Sequence, residues 1–198
     1  MKSVMSRTVL VLNGHPDPVN RGLCQALADA YAEGARTAGH EVRRLDIATL
    51  DFGLLRSQAA FEKEPPPPAI AEAQQQILWA QHLVVVFPLW LGDMPALLKA
   101  FLEQALRPGF AFSHRAHGFP EMHLKGRSAR LIVTMGMPAL VYRWFYFAHG
   151  VKNLKRNILS FVGFRPVRDT IVGGLGGRSR ESIAAALEDV RALGRRAA

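Results

Sequence analysis

The sequence predicts an α/β domain in which a five-stranded, doubly wound parallel sheet carries helices on both faces. Apolar runs rich in β-branched residues alternate with longer helical patterns along the whole chain. Strands that are joined through helices pair in parallel by right-handed crossovers. The length of 198 residues, with 49% hydrophobic and 21% charged residues, suits a single domain over residues 1–198 with one well-filled core.

The strands are predicted from the pattern of apolar residues. The runs HLVVVFP and SARLIVTMG are continuously apolar, which indicates strands that are buried on both faces. The run EVRRLDI is less apolar and alternates, which is typical of a strand at a sheet edge. The predicted strands are 7–13, 41–47, 82–88, 128–136 and 167–174.

The helices are predicted from periodicity and from the residues that limit them. Gly39 follows the first helical pattern, and Pro95 lies near the first turn of a later helix. The four prolines at 65–68 exclude a helix or an inner strand at that point, and a helical pattern begins directly after them. The predicted helices are 21–39, 69–81, 94–106, about 152–162 and 181–193.

The formal net charge of +9 raises the question of a nucleic-acid partner. The densest basic segment holds Lys152, Lys155 and Arg156, followed by Arg165 and Arg168, and it lacks interleaved aromatic residues on a strand. We therefore expect no nucleic-acid partner. A positive field would also attract anionic cofactors such as flavin phosphates or nicotinamide dinucleotides.

Other classes of protein are excluded by the apolar runs and by the single cysteine. The longest apolar runs are shorter than the roughly 20 residues that cross a bilayer, so we expect no membrane insertion. The apolar run near the start leads into a Gly-His-Pro turn and is predicted to be a strand, not a signal peptide. Cys24 alone forms neither an internal disulfide nor a thiolate metal cluster, and we expect no metal site. The predicted location is the cytoplasm.

Doubly wound sheets bind ligands at the carboxyl ends of their strands, where the strand order reverses. The loop NGHPDPVNRGLC follows the first strand and opens a helix, which Asn20 could cap. The first N–H groups of that helix form an anion site by geometry, and His15 and Arg21 could add donors to a phosphate. The alternative is an ordinary capped turn, since neither a G-x-G-x-x-G nor a glycine-lysine-serine loop is present.

The loop after the third strand, FPLWLGDMP, is unusually apolar. Pro88 ends the strand, and the N–H groups of Leu89, Trp90 and Leu91 could then bond the edge of a flat heterocycle. The ring of Trp90 would supply apolar area beside it. In the alternative, Trp90 packs against helix 94–106 as part of the core.

The loop after the fourth strand, TMGMP, leads into the aromatic stretch ALVYRWFYFAHG. Thr134 and Gly136 allow the chain to approach a ligand closely. A stretch with this many aromatic residues indicates a pocket lid or a subunit interface. His149 is either an acid catalyst or a polar residue with ordinary partners.

Taken together, GHPDP after the first strand, FPLWLGDMPALLKAFLEQ with GFAF downstream, and TMGMP after the fourth strand resemble one family. This is the flavodoxin-like NAD(P)H:quinone oxidoreductase family, which includes DT-diaphorase and the ancillary subunits of potassium efflux systems. The resemblance covers about residues 7–175 in order. It implies a flavodoxin-like fold.

The resemblance also implies a role for individual residues. Tyr142 and His149 look like the tyrosine and histidine that stand over the flavin and handle charge during hydride transfer. Two positions depart from the family pattern, because Met137 replaces a second glycine and because the spacing from Tyr142 to His149 is one residue longer. The residues that match the flavin-phosphate loop are His15, Asn20, Arg21, Leu23 and Cys24; those that match the loops around the isoalloxazine are Pro88, Leu89, Trp90, Leu91, Thr134, Met135 and Gly136.

The activity implied by the resemblance is the transfer of a hydride from NAD(P)H through a bound flavin, FMN or FAD, to a quinone-like acceptor. The family also implies a homodimer with flavin sites near the interface. The alternative is a flavin-binding, redox-sensing subunit that docks a partner such as a potassium efflux system at the membrane periphery. An electron-carrier flavodoxin is disfavoured, because such carriers are acidic and this chain carries +9.

Overall fold

The computed structural model describes residues 6–19 and 22–198. Its centre is a parallel sheet of five strands in the order β2-β1-β3-β6-β7, which confirms the predicted doubly wound, flavodoxin-like arrangement. The order reverses between β1 and β3. A short antiparallel hairpin, β4–β5, lies outside this sheet. The strands are β1 (Thr8–Asn13), β2 (Glu41–Asp46), β3 (His82–Pro88), β4 (Phe112–Ser113), β5 (Glu121–Met122), β6 (Ser128–Thr134) and β7 (Val167–Val172).

Helices cover both faces of the sheet. The helix α6 continues without a break through a π-helical segment, Leu154–Leu159, into α7. The helices are α1 (Leu23–Thr37), α2 (Gln58–Glu62), α3 (Pro68–Trp79), α4 (Ala96–Ala105), α5 (Ala139–Trp144), α6 (His149–Asn153), α7 (Ser160–Val162) and α8 (Arg180–Arg196). None of the described helices is both long enough and apolar enough to cross a membrane.

Alternate residues of the strands point to opposite faces and build two cores. On one face, Leu10, Leu12 and Val85 pack with α3, α4 and the segment 149–162. On the other face, Val9 and Val11 pack with α1 and α8. The predicted edge strand β2 lies at the edge of the sheet, where its pattern of burial follows its alternating sequence.

The two helices of the second face are in backbone contact. A Cβ atom on Gly34 of α1 would stand 2.0 Å from the carbonyl oxygen of Arg191, and one on Gly194 of α8 would stand 2.2 Å from that of Tyr31. Any side chain at either glycine would therefore force α1 and α8 apart.

Three expectations differ from the structure. The cap of α1 is Gly22 and not Asn20, because α1 begins only at Leu23. The helix expected at 152–162 begins earlier, at His149. It therefore includes Gly150, a poor helix former, whose backbone lies close to that of Gly92. The aromatic stretch, expected as a loop, contains the short helix α5. The sequence patterns also missed α2 and the β4–β5 hairpin, which are too short for a periodic signal.

Candidate functional site

The loops that follow β1, β3 and β6 are joined to one another at the carboxyl edge of the sheet. Pro88 pairs with Thr134 at the ends of β3 and β6, and the N–H of Leu89 donates to the carbonyl of Thr134 at 2.7 Å. The N–H of Gly14 donates to the carbonyl of Val86, also at 2.7 Å. The three loops singled out in the sequence therefore meet at the topological switch point, where doubly wound sheets bind ligands.

The loop after β3 forms a tight hairpin, which we call the Leu91–Gly92 turn. Trp90 and Asp93 exchange backbone hydrogen bonds of 2.9 and 3.0 Å, and the two residues between them have φ of +49° and +84°. Positive φ at both central residues is the pattern of a type I′ turn, which normally uses Asn, Asp or Gly. Leu91 is thus strained, and its side chain is wholly exposed at 108% of the reference area.

This geometry corrects one expectation about hydrogen bonding. The N–H groups of Leu89 and Trp90 are not free to bond a heterocycle, because they donate to Thr134 and Asp93. Pro88 is buried at the end of β3, and Leu89 is half-buried against the first core. What the turn offers a ligand is the apolar surface of its exposed side chains.

The Leu91–Gly92 turn is held from behind by two contacts. The hydroxyl of Tyr142 donates to the carbonyl of Gly92 and accepts from the N–H of Val151, both at 3.3 Å. A Cβ on Gly150 would stand 2.4 Å from the carbonyl oxygen of Gly92, so only glycine allows α6 to lie this close. Burial raises the pKa of Tyr142, and the nearby carboxylate of Asp93 adds to the effect. The Tyr142 hydroxyl therefore stays protonated, and its hydrogen bond to Gly92 holds the Leu91–Gly92 turn in place.

Trp90 is half-exposed and is not one of the buried residues that form the core. Its side chain is 50% exposed, and its ring meets the edge of the His15 imidazole at a centroid distance of 6.1 Å. The Nδ1 of His15 accepts from the N–H of Asp17 at 3.1 Å. This hydrogen bond selects the tautomer with its proton on Nε2, which makes His15 a donor.

The start of α1 is suited to an anion. Gly22 caps the helix without a side-chain hydrogen bond, and there is no acidic residue in the first turn of Leu23–Thr37. The N–H groups at this end carry the positive pole of a 15-residue helix. Asn20 and Arg21, which the sequence placed in this loop, lie outside the described residues.

Cys24 and Thr134 lie beneath the loops. The Cys24 thiol is buried and lies 3.2 Å from the hydroxyl of Thr134. The two side chains are therefore hydrogen-bonded to each other. Burial raises the pKa of Cys24 to about 11, and the hydrogen bond to Thr134 offsets this only in part. Met135 is also buried, and its N–H donates to the carbonyl of Val172 at 3.1 Å. In the loop after β6, Gly136 and Pro138 are exposed and Met137 is half-buried.

A cavity of about 620 Å³ opens between the Leu91–Gly92 turn and the aromatic stretch. Tyr146 and His149 are its exposed proton-bearing side chains, whereas Tyr142 is only 1% exposed. Tyr146 was missed as an individual candidate, although it lies in the aromatic stretch. The cavity is lined by Leu91, Gly92, Asp93, Met137, Tyr142, Tyr146, His149, Gly150 and Asn153.

Beside this cavity lies an exposed aromatic face formed by Leu140, Trp144, Phe145 and Phe147. Trp144 is 77% exposed, and the other three are also largely in solvent. Phe147 and the next residue both have positive φ, of +52° and +50°, where the chain passes from α5 to α6. Several large apolar side chains exposed within one short segment are typical of an interaction surface.

Known proteins are similar to this chain in sequence and in fold. Residues 7–193 match a protein family described as having a flavodoxin-like fold. An FMN-dependent NADH:quinone oxidoreductase 2 from Listeria innocua serovar 6a is 37% identical over 141 residues, which cover 68% of this chain. The match spans 66% of that relative, slightly less than two thirds of its length.

Solved structures agree over almost the whole chain. The NAD(P)H:quinone oxidoreductase from Methanothermobacter marburgensis superposes with a TM-score of 0.80 at 23% identity, covering 96% of this chain and 98% of that one. A protein from Streptococcus mutans UA159 superposes with a TM-score of 0.76 at 26% identity, covering 95% of this chain and 98% of that one.

Proposed function

The chain belongs to the flavodoxin-like family, and from this premise we propose that it is an FMN-dependent NAD(P)H:quinone oxidoreductase. It passes a hydride from NAD(P)H through bound flavin to a quinone-like acceptor, and it works in the cytoplasm as a single flavin-binding domain. The observation that carries the proposal is the Leu91–Gly92 turn, which holds an exposed, strained leucine at the rim of a cavity of about 620 Å³.

The described residues fit a flavin. The cavity has the size of a small-molecule site, for which roughly 300–1,000 Å³ is usual. At Gly92 and Gly136, no described atom lies within 4 Å of the point where a Cβ would stand, so a flat ring can approach the backbone there. The start of α1 and the Nε2 proton of His15 provide donors for a phosphate.

The proposed FMN-binding residues form two groups, one that holds the phosphate and one that borders the flavin ring. His15 and the N–H groups of Leu23 and Cys24 would hold the phosphate, together with Asn20 and Arg21 as the family resemblance implies. Leu91, Trp90 and Gly136 would border the ring, with Pro88, Leu89, Thr134 and Met135 supporting these loops from below. FMN, when bound, supplies the two-electron redox chemistry.

The chain's own groups position the reactants and handle protons. His149 and Tyr146 are exposed in the cavity and would donate hydrogen bonds to the oxygen of the acceptor. Tyr142 was expected to be a catalytic residue. Its hydroxyl, however, is already hydrogen-bonded to the carbonyl of Gly92 and to the N–H of Val151. We assign it as a positioning residue that fixes the Leu91–Gly92 turn.

The exposed aromatic face supports a homodimer. Trp144, Phe145, Phe147 and Leu140 together exceed what a small monomer usually leaves in water. Because this face adjoins the cavity, the partner subunit would lie close to the acceptor site. The relatives compared above are named as quinone oxidoreductases, which gives no support to the alternative of a regulatory subunit.

The test is reconstitution followed by turnover. Purified protein should be yellow, or become so with FMN, and should oxidise NADH or NADPH when a soluble quinone is present. Tyr146→Phe and His149→Gln should retain FMN and lose turnover by roughly tenfold to a hundredfold. Phe161→Leu, a change at an exposed ring outside the cavity lining, is the control. A protein that stays colourless after incubation with FMN would overturn the proposal.

A further inference from the structure

The opposite edge of the sheet carries a cluster of arginines that the proposed function does not use. Two adjoining cavities, of about 380 and 280 Å³, lie at the amino ends of β1, β3, β6 and β7. They share Arg7, Ser128 and Pro166, and neither is lined by an aspartate or a glutamate. We call these two cavities the basic groove; its arginines are Arg7, Arg165, Arg168 and Arg196.

These arginines lack carboxylate partners. In the part of the chain that the structure describes, none of the four forms a salt bridge, although Arg44, Arg143, Arg191 and other cations do. Arg7 donates to the carbonyl of Ala197 at 3.1 Å, which is a neutral acceptor. The net charge of +9 is therefore concentrated in part on one edge of the molecule.

The pKa of a buried histidine in the groove is affected by this excess of positive charge. His82 is 1% exposed, and its ring nitrogens bond the hydroxyls of Ser128 at 2.7 Å and Tyr31 at 3.0 Å. The pKa of His82 is lowered to about 3, chiefly by burial and to a lesser extent by the charges of Arg7, Arg130 and Arg168. The charges of these arginines thus act in the same direction on this histidine.

We propose that the basic groove binds a small anion with adjacent phosphoryl groups. Guanidinium groups bond phosphoryl oxygens in pairs. The hydroxyl of Ser128, which bonds the ring of His82, is a neutral polar group in the same groove. The strands are six or seven residues long, so this site lies roughly 20 Å from the proposed flavin site at the other edge. It is a second anion site, independent of the flavin phosphate.

The test is titration of FMN-loaded protein with pyrophosphate in a calorimeter at constant ionic strength. Wild-type protein should bind one equivalent. Arg168→Ser and Arg196→Ser should each weaken binding by about tenfold or more. Both residues are exposed, so the variants should fold. Arg180→Ser is the matched control, because it removes the same charge from the first turn of α8, roughly 24 Å along the helix from Arg196.

The affinities of further ligands distinguish a nucleoside diphosphate from a free diphosphate group. ADP that binds more tightly than pyrophosphate would identify a nucleoside diphosphate, and equal affinity would identify the free diphosphate group. Absence of saturable pyrophosphate binding would overturn the proposal, as would equal affinity in Arg168→Ser and Arg180→Ser. Two results would contradict the assignment of a small phosphoryl ligand. One is sulfate binding as tight as pyrophosphate binding. The other is binding of a short single-stranded oligonucleotide without binding of pyrophosphate.

Discussion

Replacing Leu91 by asparagine should make the flavin-free protein more stable and the flavin complex weaker. A non-glycine residue in the left-handed region is strained by about 1–2 kcal/mol, and asparagine tolerates this region better than leucine does. Because the Leu91 side chain is wholly exposed, no buried area is lost in the flavin-free state. We expect a gain of about 0.5–1 kcal/mol, which corresponds to roughly 1–4 °C in Tm for a chain of this length.

The effect on FMN has the opposite sign. If Leu91 is covered by the bound ring, its removal loses about 1.5–3 kcal/mol of apolar burial. Since about 1.4 kcal/mol is a factor of ten, FMN affinity should fall by roughly tenfold to a hundredfold. The melting temperature of the flavin-free protein and an FMN titration by fluorescence quenching measure the two effects separately.

The control is Leu54→Asn. Leu54 is also exposed, at 61%, but it is not among the described residues with positive φ. This variant should change the stability by less than about 0.5 kcal/mol and leave FMN affinity unaltered. A lower Tm for Leu91→Asn would show that the turn is not strained, and unchanged FMN affinity would remove Leu91 from the site.

Three further expectations concern the site, the buried histidine and the assembly. Trp90→Ala should weaken FMN by roughly one to two decades through lost contact area, and a drop in the Tm of the flavin-free protein without selective loss of FMN would assign Trp90 to the core. The pKa of His82 is lowered on folding from 6.5 to about 3, so its contribution to stability is complete above pH 6.5 and declines as the pH falls toward 3. His82→Gln should flatten that decline in chemical denaturation, and an unchanged pH profile would contradict this reasoning. Trp144→Ser should shift sedimentation from a dimer toward the 21.8 kDa monomer, whereas a wild-type protein that sediments only as monomer would exclude the dimer.

The order of strands and helices was predictable from the sequence, because buried strands and amphipathic helices have distinct periods. The meeting of the three loops followed from the same prediction, since parallel strands end at one edge. The hydrogen bonds of the site were not predictable in this way. The N–H of Leu89 donates to the carbonyl of Thr134, a residue distant in sequence. Leu91-Gly92 has the glycine that is usual at the second position of a type I′ turn but not the Asn, Asp or Gly that is usual at the first.

The choice between two tyrosines also depended on the fold. Tyr142 and Tyr146 lie one helical turn apart within a run of aromatic residues, and the single polar residue between them, Arg143, does not show which of the two faces inward. The structure buries Tyr142 and exposes Tyr146. The basic groove was hidden for a similar reason, because its arginines are contributed by segments from opposite ends of the chain.

The backbone contact between α1 and α8 has a consequence for the order in which the protein opens. With Gly34 and Gly194 in close contact and α1 packed on the sheet, the amides of α1 are expected to exchange with solvent only in global unfolding. The stretch 139–149 has exposed side chains and strained backbone, so its amides are expected to exchange through local opening. In the proposed enzyme, the wall of the cavity would then open and close while α1, the helix proposed to hold the phosphate, stays fixed, which would let substrates alternate without release of the flavin.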